Sequence, residues 1–169
     1  MKFDIKVGGL REMMETLERL PANVVSKKGG PAKLALKRGA WVLRDEVKQR
    51  LSAMVNDAGN NDTTGLLESS VIASRGKKPT NVRGERYLVR FKRKMYQKSD
   101  NRGKVSTIKT AQLFEYGSEH QVPSPFIRPA FHAKAQQAIY VVRDELLKRI
   151  EKLVKKHGLD TDPDNSLSL

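Results

Sequence analysis

The side chains that could do chemistry are few, and their spacing is the first thing to weigh. There is no cysteine, which removes thiolate nucleophiles, cysteine-based zinc sites and disulfides together. The histidines are His120, His132 and His157, and none stands in an H-E-x-x-H frame. Neither a G-x-S-x-G turn nor a phosphate-cradling glycine loop leading into a helix is present. Glu115, Glu119 and His120 are the residues that could in principle meet at a metal. Three such groups on one loop, with no second histidine nearby, fit a solvated polar loop better than a metal site. Hydrolysis or group transfer needs a nucleophile, a base and an orienting group, or a metal. The expectation is a protein without a catalytic site, metal or cofactor.

Charge is the stronger signal. The 169 residues carry a formal charge of +14, a field that attracts nucleic acid, anionic membranes or acidic protein surfaces. From Arg75 to Lys109 thirteen basic residues face two acidic ones, Glu85 and Asp100, so a net +11 sits in one block. Arg90, Lys92, Arg93, Lys94, Lys98, Arg102 and Lys104 are the candidates for a basic docking or DNA-facing surface. Tyr87, Phe91 and Tyr96 interleave with them, as on a sheet that binds single strands. Tyr87 and Phe91 occupy odd positions and Tyr96 an even one, so the three do not share a strand face.

The elements that must position these groups follow from periodicity. Phe3, Ile5 and Val7 alternate with polar residues and predict a strand. Leu10, Met13, Met14, Leu17 and Leu20 predict a short first helix, limited by Pro21, and Ala22–Lys28 a further helical turn before Gly29-Gly30. Pro31 opens a helix to Val55, about 37 Å long at 1.5 Å per residue, with Leu36, Ala40, Leu43, Val47, Leu51 and Met54 as its apolar stripe. Trp41 beside the stripe is expected in the core. Asn56–Thr64 reads as an exposed loop, Leu66 onward as a helical turn, and Val71–Ser74 as the start of a strand. Arg75–Gly84 is a loop, and Tyr87, Val89 and Phe91 mark a half-buried strand with a charged outer face. Gln97–Lys104 is a hairpin tip or a mobile loop, and Ala111–Tyr116 fits strand or helix equally. A C-terminal helix runs from Pro129 to about Lys156 on a stripe of Phe131, Ala135, Ala138, Ile139, Val142, Leu146, Ile150 and Leu153. The resulting fold class is α+β: a small antiparallel sheet packed with two long helices and a short N-terminal one. Residues 1–158 form one domain with a basic loop or hairpin insert at 92–109, and 159–169 a flexible acidic tail. No internal repeat and no apolar run of about 20 residues occurs, and nothing implies a membrane.

The densest information lies between Leu113 and Phe131. Pro123, Pro125 and Pro129 each fix φ near −65° and push the preceding residue toward extended geometry, so Val122–Ile127 is expected to be a stiff arm feeding the last helix. Pro129 suits the first helical turn, where a missing N–H is no loss. Phe126 has two readings: a plug for the domain's own core, or an anchor offered to a partner.

Glu115-Tyr116-Gly117-Ser118 followed by Pro125-Phe126-Ile127-Arg128-Pro129-Ala130 resembles the E-[FY]-G-[ST] … P-F-[IL]-R-P-A signature of a tailed-phage family. These are the head–tail joining or tail-completion (neck) proteins of lambdoid long-tailed phages. Val7-Gly8-Gly9-Leu10 is similar to that family's opening V-x-G-L, and Thr64–Val71 to its T-G-x-L-x-x-S-[IV]. The three motifs keep the family's order from residue 7 to 130, while the Lys92–Lys109 insert is longer and more basic than the pattern. The resemblance implies a virion structural protein at the head–tail junction, assembled in the host bacterial cytoplasm and acting by protein–protein contact. Its partners would be other copies of itself in a ring, a tail terminator or tube protein and a head connector protein, with a possible transient contact to DNA. It implies an interface formed by Phe114, Glu115, Tyr116, Gly117, Pro125, Phe126, Ile127, Arg128 and Pro129, with a Glu115–Arg128 ion pair fixing the arm. Two alternatives stay open: a sequence-nonspecific nucleic-acid-binding module, and a tail-assembly factor absent from the mature virion.

Overall fold

The computed structural model describes residues 30–57, 65–77, 85–96 and 105–157. Outside these lie the expected strand at Phe3–Val7, the short N-terminal helix, the family's opening motif, most of the two polar loops, the Gln97–Lys104 tip and the acidic tail. The described chain is α+β, in the order α1 (Pro31–Asp57), α2 (Leu66–Ser70), β1 (Val71–Arg75), β2 (Tyr87–Phe91), α3 (Thr107–Tyr116) and α4 (Ile127–His157).

β1 and β2 pair antiparallel, with Val71 opposite Phe91 and Arg75 opposite Tyr87. The loop end of this hairpin is clamped by Arg75, whose Nε and Nη2 donate to Glu85 Oε2 and Oε1 at 2.8 and 2.6 Å. Odd positions face inward as their alternation predicts: Val71 is buried, and Val89 and Phe91 pack on the core. That core gathers Val47 and Leu51 of α1, Leu67 of α2, Ala111 of α3, and Phe126 and Ala130 at the start of α4.

α1 and α4 are antiparallel neighbours. The C-terminal half of α1 meets the start of α4 in the main core, and Ala35 near its beginning meets Leu146 and Ile150. In its first half the buried residues of α1 are Pro31, Ala35 and Gly39, while Leu36, Ala40 and Leu43 of the expected stripe are only half-buried. The reason is close approach. A Cβ on Gly39 would collide with Val142 Cγ2 and lie 2.9 Å from the carbonyl oxygen of Ala138. The helices therefore meet along a seam of small residues, a step round from the bulkier stripe. Alanine at position 39 would gain about 1 kcal/mol of helix propensity. It must also displace α4 backbone, an overpacking cost of about 1–3 kcal/mol. Gly39→Ala is expected to lower the urea midpoint, and an unchanged or raised midpoint would show that the seam has slack.

Two further expectations are corrected. Trp41 is half-buried and belongs to neither core cluster; Lys37, Arg38 and Arg44 of its own helix lie 4.8, 5.2 and 5.3 Å from its ring, so it packs under cations. Phe131, assigned to the α4 stripe, is exposed. The buried hydrophobic positions in that half of α4 are Ala130 and Ala138.

Candidate functional site: the corner between α3 and α4

Ala111–Tyr116, undecided on sequence, belongs to helix α3. Ser106 caps that helix by accepting a hydrogen bond from the Lys109 N–H. Thr107 ties its start to the chain leaving β2. The Thr107 hydroxyl donates to the Lys92 carbonyl oxygen at 2.8 Å and accepts from the Lys94 N–H at 3.1 Å, and its own N–H donates to the Lys94 carbonyl oxygen. Met95 and Ser106 bridge antiparallel beside it, so the described residues on either side of the Gln97–Lys104 segment lie next to each other.

At its other end α3 stops at Gly117, whose φ of +76° is a region that favours glycine. A Cβ there would lie 2.7 Å from the Gln121 carbonyl oxygen and 2.9 Å from Pro123 Cδ. Ser118 and Gln121 close the tight turn that follows. The arm Val122–Pro125 is exposed and has no regular structure, and the Ser124 N–H donates to the Phe114 carbonyl oxygen at 2.8 Å.

The arm delivers Phe126 inward. Its side chain is 2% exposed and meets Phe91 edge-on, with ring centroids 6.0 Å apart. Of the two readings of Phe126, the core plug is the one realised.

Glu115, also 2% exposed, organises the corner. Its Oε2 accepts from the backbone N–H groups of Phe126 and Ile127, at 2.9 Å each, and its Oε1 from that of Arg128 at 3.1 Å. Pro129 follows and has no N–H, and Ala130 is the first to reach a helical carbonyl, that of Phe126 at 3.2 Å. One carboxylate from α3 thus satisfies every free N–H at the start of α4 and places a negative charge at the positive end of its dipole. The expected Glu115–Arg128 ion pair is present as part of this cap. Arg128 Nε donates to Oε1 at 2.9 Å and its Nη2 to the Glu115 carbonyl oxygen at 3.0 Å. Burial pushes the Glu115 carboxyl up, but the hydrogen bonds from Ile127, Arg128 and Phe126 outweigh it and hold the group below its ordinary value.

Held from below by Glu115, the Arg128 guanidinium lies 5.4 Å from the Tyr116 ring centroid. Tyr116 is 70% exposed, and Val122, which the sequence reading left out of the site, is 83% exposed. Of the nine expected interface residues, Tyr116, Pro125 and Arg128 are exposed. Phe114, Gly117, Ile127 and Pro129 are half-buried, and Glu115 and Phe126 are inside. Glu119 and His120 are exposed in the turn while Glu115 points at α4, so the three do not converge, and no metal-ligating cluster of three occurs among the described residues. No described helix is long and apolar enough to cross a membrane.

In the basic block Arg90, Lys92 and Arg93 are exposed and Lys94 is half-buried, with Nζ donating to Ser69 Oγ at 2.9 Å. Lys98, Arg102 and Lys104 lie outside the described residues. Comparison with protein-family models, curated proteins and solved structures finds no match for this chain.

Proposed function

We propose that this chain is a structural protein of the head–tail junction of a tailed phage, which assembles with copies of itself and docks on a tail terminator or tube protein and a head connector. The observation that carries the reading is the fixed corner at the matching motif: Arg128 is held by Glu115 and lies over the ring of an exposed Tyr116, and Val122 and Pro125 of the following arm are exposed as well. Tyrosine and arginine are the residue types that anchor interfaces, and side chains already ordered lose little entropy on docking. Buried Glu115 and Phe126 serve the interface indirectly, by holding the corner in shape.

The test is electron microscopy of particles from a phage or prophage with this gene disrupted and then complemented. Full heads and separate tails are expected to accumulate without the gene. Wild-type protein should rejoin them, whereas Tyr116→Ala combined with Val122→Ser should not, although both side chains are exposed and that variant should melt like the parent. Intact, infectious virions from the disrupted strain would reject the proposal. Full rescue by the double variant would move the interface elsewhere on the surface.

A further inference from the structure

The basic block is the part of the molecule that neither the corner nor the core uses. We infer that Arg90, Lys92, Arg93 and Lys94 contact the phosphate backbone of duplex DNA, by charge and without reading bases.

The backbone beneath these cations is pinned. Arg90 lies in β2 opposite Ile72, the Lys92 N–H donates to the Ser70 carbonyl oxygen at 2.7 Å, and Lys94 is held at both its N–H and its carbonyl by Thr107. Val89 and Phe91 pack on the core, so the alternating Arg90 points away from it. Arg90 lies in β2, and Lys92, Arg93 and Lys94 follow directly after its last residue, so four cations fall within five consecutive positions. Few acids neighbour them in sequence. In the described chain between Leu66 and Thr110 the only carboxylates are Glu68 and Glu85, and Arg75 engages Glu85 through two hydrogen bonds. A dense run of like charge with few neighbouring acids complements a polyanion, and phosphates presented along a duplex supply one continuously.

The aromatics select duplex over single strand. Phe91 packs on Phe126, and Tyr87 and Tyr96 are half-buried, the latter with its hydroxyl at Thr110. Among the described residues of the block there is thus no free ring platform on which bases could stack. The inference stands apart from the docking corner and survives if that reading fails.

Fluorescence anisotropy of a labelled duplex of random sequence, titrated with the full chain across a potassium chloride series, tests it. The triple variant Arg90→Ala, Lys92→Ala, Arg93→Ala is compared with a control of equal charge loss on α4, Lys148→Ala, Lys152→Ala, Lys155→Ala. The slope of log affinity against log salt is expected to fall by about 3 in the first triple, near 0.9 per phosphate contact, and to change little in the control. Single Arg93→Ala should lower it by about 1, which keeps the result readable if the triple folds poorly. Equal loss in both triples would reduce the effect to net charge and overturn the proposal. So would the absence of duplex binding at low salt, tighter binding of poly-glutamate than of duplex, or a preference for single strands.

Discussion

Glu115→Ala is expected to cost the fold about 3–5 kcal/mol, the range for removing one partner of a buried, hydrogen-bonded charge. The truncation strips the acceptor from three backbone N–H groups at the start of α4 and leaves Arg128 without its carboxylate. Most of the cost belongs to the N–H groups. The Arg128 side chain is 59% exposed, so water compensates much of what it loses. At about 2–4 °C per kcal/mol for a chain of this size, the melting temperature should drop by roughly 6–20 °C. Arg128→Ala, which leaves the three backbone bonds in place, should cost about 1 kcal/mol or less. If the two variants melt alike, the cap is not what holds the helix. The same carboxylate sets a pH dependence. Its folded pKa lies below the ordinary value of 4.5, so its contribution is complete above that value and is lost as pH falls below it toward the folded pKa. Glu115→Gln, which no longer titrates, should be less stable at neutral pH and show a flatter acid limb. An acid limb identical to the parent's would assign the pH dependence to other groups.

Phe126→Ala should cost a similar amount, about 3–5 kcal/mol, through a different mechanism. The ring meets Phe91 edge-on within the main core cluster, and its loss leaves a cavity there. Phe126→Leu keeps much of the volume and should cost about 1.5 kcal/mol or less. Neither variant should alter the shape of the acid limb, which separates the core from the cap. Denaturation of the three proteins in urea, repeated at several pH values, measures both. If Phe126→Ala melted like the parent yet failed to assemble, the residue would be an anchor for a partner, and the buried position would have to open on docking.

The two long helices, the α2-to-β1 junction and the inward face of β2 were legible because each rests on local periodicity. A repeat of 3.6 or 2 reports which residues share a face, whatever that face meets. The concentration of charge before Lys109 was equally legible, being a property of composition. Local signals stop at the partner of each face. The α1 stripe pointed to Leu36, Ala40 and Leu43, whereas the seam runs through Ala35 and Gly39, because the depth to which α4 can approach depends on two helices at once. Ala111–Tyr116 is too short for its period to be read, and it is a helix because Ser106 and Thr107 fix its start and Gly117 its end. The prolines predicted a stiff arm, but no local rule says whether a stiff arm delivers Phe126 to the core or to a neighbour. That choice is made by a hydrogen-bonding group eleven positions away. Glu115 draws the first N–H groups of α4 onto its carboxylate, and the ring before them then has only one place to go.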